Sequence, residues 1–162
     1  MKILLSMLIF WVPSTLVLGA GNDNRIEADG VWHDYTAEIV PAYPQRGQPF
    51  FLELRTFRFD LTAAKVRLRA GTTVQTLDLT WDRSEGQGEF DVWKVSLPGW
   101  DHDFVYYHFQ LFDGTAYGTF SRAGFAGADP NGGEFYRNLT ALGRFELGAT
   151  VDGDGTVFRT VS

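Results

Sequence analysis

Between Pro49 and Phe120 apolar and polar residues alternate in short runs, and a period of two predicts strands buried on one face. In PFFLELRTFRFD, Pro49 to Asp60, Phe50, Leu52 and Leu54 fall on one side and Glu53 and Arg55 on the other. From Lys65 to Ala70, Val66 and Leu68 point inward and Lys65, Arg67 and Arg69 outward. Thr72 to Trp81 continues the pattern with Leu77, Leu79 and Trp81 inward, and Asp82 to Gly88 reads as a polar turn. Glu89 to Phe120 predicts three more strands. Trp93, Val95 and Leu97 alternate until Pro98-Gly99 stops them. Val105, Tyr107, Phe109 and Leu111 form the next apolar row, with Tyr106, His108 and Gln110 facing the other way. Asp113-Gly114 supplies residues that tolerate positive φ, as a tight hairpin requires, and Ala116, Tyr117 and Phe120 open the return strand.

The flanks are less regular. Gly21 to Asp29 is polar and reads as a linker; Gly30 to Tyr35 reads as a short aromatic-rich strand; Pro41, Pro44 and Gly47 mark a loop. After Gly124 the composition shifts. Ala126 to Gly133 is a loop, and Glu134 to Leu142 an irregular or helical connection. Arg144 to Ser162 repeats a strand–turn–strand pattern around Asp152-Gly153-Asp154-Gly155. No stretch before Gly124 sustains a 3.6-residue apolar period, so no long helix is expected. Roughly seven short strands spaced by about ten residues predict an all-β, immunoglobulin-like antiparallel β-sandwich, with a small closed barrel as the alternative. The expected organisation is a signal peptide over 1–20, a linker over 21–29, the sandwich over 30–125, a second linker over 126–142, and the truncated start of another β module over 143–162.

Composition narrows the chemistry. The chain has 162 residues, 44% hydrophobic and 21% charged, which is globular and allows one domain plus a small remainder. Its 14 Phe, 5 Trp and 6 Tyr favour half-buried pleated surfaces. A formal net charge of -6 argues against a nucleic-acid partner, which needs a clustered positive excess. The absence of cysteine excludes disulfides, thiolate metal sites and a thiol nucleophile. Lys2, the apolar run Ile3 to Leu18 and the small residues Gly19 to Gly21 read as a secretory signal. That predicts a secreted or periplasmic protein with no membrane association after cleavage. No cofactor is expected.

The order of GVWHDYTAEIVPAYPQRGQPFFLELRT, KVRL, GEFDVWKVSLP, FVYYHFQLFDG and SRAGF resembles one module. It is the immunoglobulin-like N-terminal domain of glycoside hydrolase family 13 enzymes, carbohydrate-binding module family 34, found in neopullulanases, cyclomaltodextrinases and maltogenic amylases. The resemblance covers about Gly30 to Phe125. LGATVDGDGTVFRTVS is similar to the opening of a family 48 carbohydrate-binding module. Together these imply a piece of an α-glucan-active enzyme without its catalytic (β/α)₈ barrel, which needs several hundred further residues.

Sugar-binding β-sandwiches lay aromatic rings against the apolar face of a pyranose, with polar groups at the rim. Trp100, in the PGWDHD loop, is the first candidate. Tyr106 and His108 face away from the expected core, and Trp32 and Tyr35 flank His33-Asp34. Trp81 and Trp93 are expected in the core. Asp101, His102 and Asp103 are adjacent and read as a solvated turn, since neighbours rarely converge on one ion. Asp152 to Gly155 lacks glycine at the sixth position of a calcium loop and reads as a hairpin turn. Glu89 and Asp91 share a strand face, about 7 Å apart, but nothing marks either as an acid or a base, and no catalytic residue is assigned. Two roles remain open. One is a module binding starch or maltodextrin; the other is a structural module that packs on the catalytic barrel of the same enzyme or forms a homodimer.

Overall fold

The structure, a computed structural model, describes residues 23–35, 37–128, 133–140, 148–152 and 155–159, the last two stretches by backbone alone. The signal-peptide reading of 1–20 lies outside the described residues. The described residues form eleven strands: β1 (Ile39–Val40), β2 (Phe50–Phe57), β3 (Ala63–Ala70), β4 (Thr73–Glu85), β5 (Phe90–Leu97), β6 (Phe104–Asp113), β7 (Ala116–Ser121), β8 (Gly124–Ala126), β9 (Phe135–Asn138), β10 (Gly148–Asp152) and β11 (Gly155–Arg159). Among the described residues there is no α-helix.

Nine strands form one antiparallel sheet in the order β1-β2-β5-β4-β3-β6-β7-β8, with β9 also paired to β6. The sheet turns on β4. Its first half pairs with β3, ending at Ala64 opposite Leu79, and its second half pairs with β5, starting at Thr80 opposite Lys94. The two halves of the sheet curl around a shared core. Leu52 and Leu54 of β2, Val66 and Leu68 of β3, Leu79 of β4, Val95 and Leu97 of β5, and Phe109 and Leu111 of β6 belong to that one cluster. These are the inward rows expected from the alternation. Each such side chain contributes about 1.5–3 kcal/mol by leaving water.

Three segments differ from expectation. Gly30 to Tyr35 is not a strand: Ala28–Gly30 is a short 3₁₀ turn, and Trp32 makes a single bridge to Arg55 of β2. The expected turn over Asp82–Gly88 shrinks to Gly86–Gly88, because β4 runs on to Glu85. Its polar residues find cross-strand partners: Arg83 pairs with Glu53, and Ser84 donates to Asp91. Glu134 to Leu142 contributes strand β9, pairing Tyr106 with Tyr136 and Tyr107 with Phe135. Four residues with one inward ring are too short to show a period. At the C-terminal end β10 and β11 pair as a hairpin with Asp152 opposite Gly155, the strand–turn–strand pattern of the sequence.

The centre of the core is aromatic. Phe135 lies 5.0 Å from the His33 ring, 5.4 Å from Tyr107 and 5.7 Å from Phe120, centroid to centroid. His33 Nδ1–H donates to the Glu53 carbonyl at 2.6 Å, and its Nε2 accepts from the Tyr107 hydroxyl at 3.0 Å. Burial pushes the Tyr107 phenol well above its ordinary range, so it remains a donor. If β9 is integral to this core, Phe135→Ala should destabilise the protein by about 3–5 kcal/mol, as buried aromatic truncations do. Urea unfolding followed by circular dichroism reads this directly. A loss below about 1 kcal/mol would show that the strand merely decorates the sheet.

Candidate functional site

The place where β4 changes partner is also where its inner face opens. Leu79 is buried, yet Trp81, two residues on and in the same alternation phase, is 56% exposed. From Thr80 onward β4 no longer pairs with β3, so among the described residues the sheet beside Trp81 continues only through β5. A bulge follows, with Trp81 opposite Trp93 but Arg83 opposite Val92. Such an insertion bends a strand and re-aims its side chains. Trp81 is therefore corrected from core residue to surface ring. Trp93, its partner, is half-buried against the core and donates its indole N–H to Thr56 Oγ1 at 3.1 Å.

Trp81 is exposed but not loose. Its Nε1–H donates to Asp91 Oδ1 at 3.0 Å, and Ser84 Oγ donates to the same oxygen at 2.9 Å. Asp91 Oδ2 accepts the backbone N–H of Phe59 at 2.9 Å. Phe59 is itself 55% exposed, with the Arg58 guanidinium 4.5 Å over its ring. One buried carboxylate thus anchors two exposed aromatic residues, one by side chain and one by backbone. A charged acceptor gives bonds stronger than neutral ones, and a two-χ ring held as Trp81 is offers contact area at low entropic cost. Asp91 is buried and accepts from all three donors.

The alternation held a signal for each. Asp91 shares the inward phase of Trp93 and Val95, and a carboxylate on an apolar phase must find donors when buried. Phe59 falls on the outward phase set by Phe50, Leu52 and Leu54.

The sequence-nominated residues scatter. His33 is buried within the core, and His108 is buried with Nδ1 3.6 Å from Glu134; neither presents a surface. Trp100 is half-buried and packs against the core, its carbonyl accepting from Gly47 N–H at 3.0 Å. Trp32 and Tyr35 are exposed at the β2 edge, where Arg137 donates to the Tyr35 carbonyl. Tyr106 lies on the outer face of β6, 6.2 Å from Tyr136 and 6.4 Å from Phe104, with Arg69 4.5 Å over its ring. Asp101 and Asp103 pair with Arg46. Among the described residues no three His, Asp or Glu side chains are grouped as metal ligands.

Next to Phe59, residues 23–27, read as linker, are tied to the sheet. Glu27 N–H donates to Asp60 Oδ1 at 3.0 Å, Arg25 N–H to Asp113 Oδ2 at 3.1 Å, and Thr115 N–H to Asn24 Oδ1 at 2.8 Å. Burial, together with the neighbouring Glu27 and Asp113, pushes the Asp60 carboxyl up to about 7. A carboxyl raised in the folded state stabilises folding below its unfolded pKa of about 3.9 and loses that contribution as pH rises to about 7. In EDTA-containing buffer, which leaves the carboxylates without a cation, the thermal midpoint should therefore fall between pH 4 and pH 7. Asp60→Asn keeps the acceptor for Glu27 N–H and carries no charge, so it should flatten that slope and unfold a few degrees higher at pH 8. An unchanged slope would mean that Asp60 does not hold its proton.

No protein-family model matches the chain. Solved structures do. A cyclomaltodextrinase shares the fold with a TM-score of 0.56 at 20% identity, over 68% of this chain and 19% of that one. A cycloalternan-forming enzyme from Listeria monocytogenes, in complex with a pentasaccharide substrate, gives 0.51 at 17% identity, over 68% and 10%. A maltogenic amylase from S. marinus gives 0.50 at 12% identity, over 69% and 14%. This chain spans less than a fifth of the length of each. At these identities the likeness is one of fold.

Proposed function

We propose that this chain is the N-terminal, immunoglobulin-like module of an α-glucan-active enzyme of glycoside hydrolase family 13, and that it holds starch or maltodextrin on Trp81 and Phe59. The observation carrying this reading is the exposed Trp81 ring anchored by its indole N–H to Asp91, which also holds the backbone of the exposed Phe59. An exposed tryptophan with its indole N–H already satisfied presents a flat apolar face and no unmet donor. That is the surface on which the CH groups of a pyranose pack. The fold likeness to enzymes named for cyclodextrin, cycloalternan and maltose chemistry supports the same ligand class. In this reading the bent sheet is a sandwich, β10 and β11 open a second β module, and the catalytic barrel lies elsewhere in the full-length enzyme. Residues 1–20 direct export and are then removed.

A structural role has its own supporting observation. Phe104 and Tyr136 are exposed beside Tyr106 on the outer sheet face, an apolar strip suited to a second copy or to another domain.

Affinity electrophoresis of the exported chain, starting near Gly21, in gels containing soluble starch separates the two. The wild type should be retarded. Trp81→Ala should weaken binding by about 1–2 kcal/mol, the size of a lost contact residue, and should also lower the thermal midpoint by a few degrees, because the buried Asp91 carboxylate loses one of its three donors. Trp100→Ala should lower stability rather than affinity. If the wild type migrates as in a starch-free gel and sediments as a dimer, the structural role is the correct one.

A further inference from the structure

The loop between β1 and β2 forms a cleft of about 300 Å³ lined by Pro41, Ala42, Tyr43, Gln45 and Gln48. Tyr43 is the most exposed large apolar side chain described, at 70%. The loop is nonetheless built firmly. Gln45 N–H donates to Gln48 Oε1 at 3.1 Å, and Gln48 N–H donates to the Gln45 carbonyl at 2.9 Å. Arg46 N–H donates to the Leu139 carbonyl at 2.8 Å, and the Arg46 side chain pairs with Asp101 and Asp103. Gly99 lies so close that a Cβ there would stand 2.0 Å from the Gly47 carbonyl oxygen. Only glycine at position 99 lets the two loops meet this closely.

The lining has a defined chemistry. It carries an aromatic face, a proline ring and two primary amides, and no charged side chain. The Gln48 side-chain oxygen accepts from Gln45 N–H within the loop, which fixes its amide plane. Neutral amides beside an aromatic face suit a neutral, hydroxyl-rich ring with an apolar face, and no charged side chain lines the cleft to pair with an ion. The volume lies at the lower end of the range for small-molecule clefts, about 300–1,000 Å³, which suits one or two sugar rings better than a long chain. The cleft precedes Phe50, whereas Trp81 is level with Leu54 through Trp93. Four strand residues, about 13 Å, therefore separate the levels of the two places along β2.

We propose that the Tyr43 cleft is a second α-glucan subsite, separate from the Trp81 platform, that takes a chain end or a short maltooligosaccharide. The assignment of ligand class rests on the function proposed above. Titrating the ¹⁵N-labelled chain with maltotriose tests both. The amide signals of Tyr43, Gln45 and Gln48 should shift saturably, and they should do so in Trp81→Ala as in the wild type. Tyr43→Ala should weaken that response at least tenfold while the Trp81 indole signal responds as before. Shifts confined to Trp81 and Phe59 would overturn the second subsite and leave the binding function standing. Shifts nowhere would overturn both. An equal response of the cleft to cellotriose would overturn its assignment to α-linked glucan.

Discussion

The structure depends on one strand serving two neighbours. β4 hydrogen-bonds to β3 through Leu79 and to β5 from Thr80, so a single run of thirteen residues joins both halves of the sheet. Without that change of partner the inward rows of β2 and β6 would lie on a flat sheet and face water. With it they meet in a common core. The same change leaves the inner face of β4 uncovered just beyond Leu79, and the fold thereby produces an exposed tryptophan from an inward-facing position.

That exposure would be worth little if the ring were free to move. Asp91 supplies the constraint from β5, binding the Trp81 indole, the Ser84 hydroxyl and the Phe59 amide at once. A buried carboxylate needs donors of this kind to offset its lost hydration, so the stability of the strand pair and the rigidity of the platform come from one group. On the outer face, a hydrogen bond from Arg83 holds Glu53 below the usual carboxylate range. This fastens the strand just past the bulge, next to the platform. Packing, electrostatics and the proposed recognition surface meet within a few residues of β4.

Much of the core was legible in the sequence because burial on one face of a strand imposes a period of two. Leu52, Leu54, Val66, Leu68, Leu79, Phe109 and Leu111 all follow it. The period tells which residues share a face, not where that face is covered. Trp81 is in phase with Leu79 and yet exposed, because coverage depends on where β3 stops pairing, a long-range fact. Trp100 shows the converse: its loop position suggested a free ring, but the Gly47–Trp100 contact draws it against the core. His33 and His108, polar by type, are buried by partners far away in sequence. β9 escaped notice because a single inward phenylalanine has no period, and its place beside β6 is fixed only by the assembled aromatic core.

The proposed glucan binding centres on the Trp81 ring. Its indole Nε1–H gives a distinct ¹⁵N–¹H signal, assignable as the one lost in Trp81→Phe, and sensitive both to the Asp91 bond and to any ring packed on the indole face. Adding maltoheptaose to the full chain should move this signal saturably. A Trp81 signal that stays fixed while starch still retards the protein would place the glucan elsewhere and contradict the central claim.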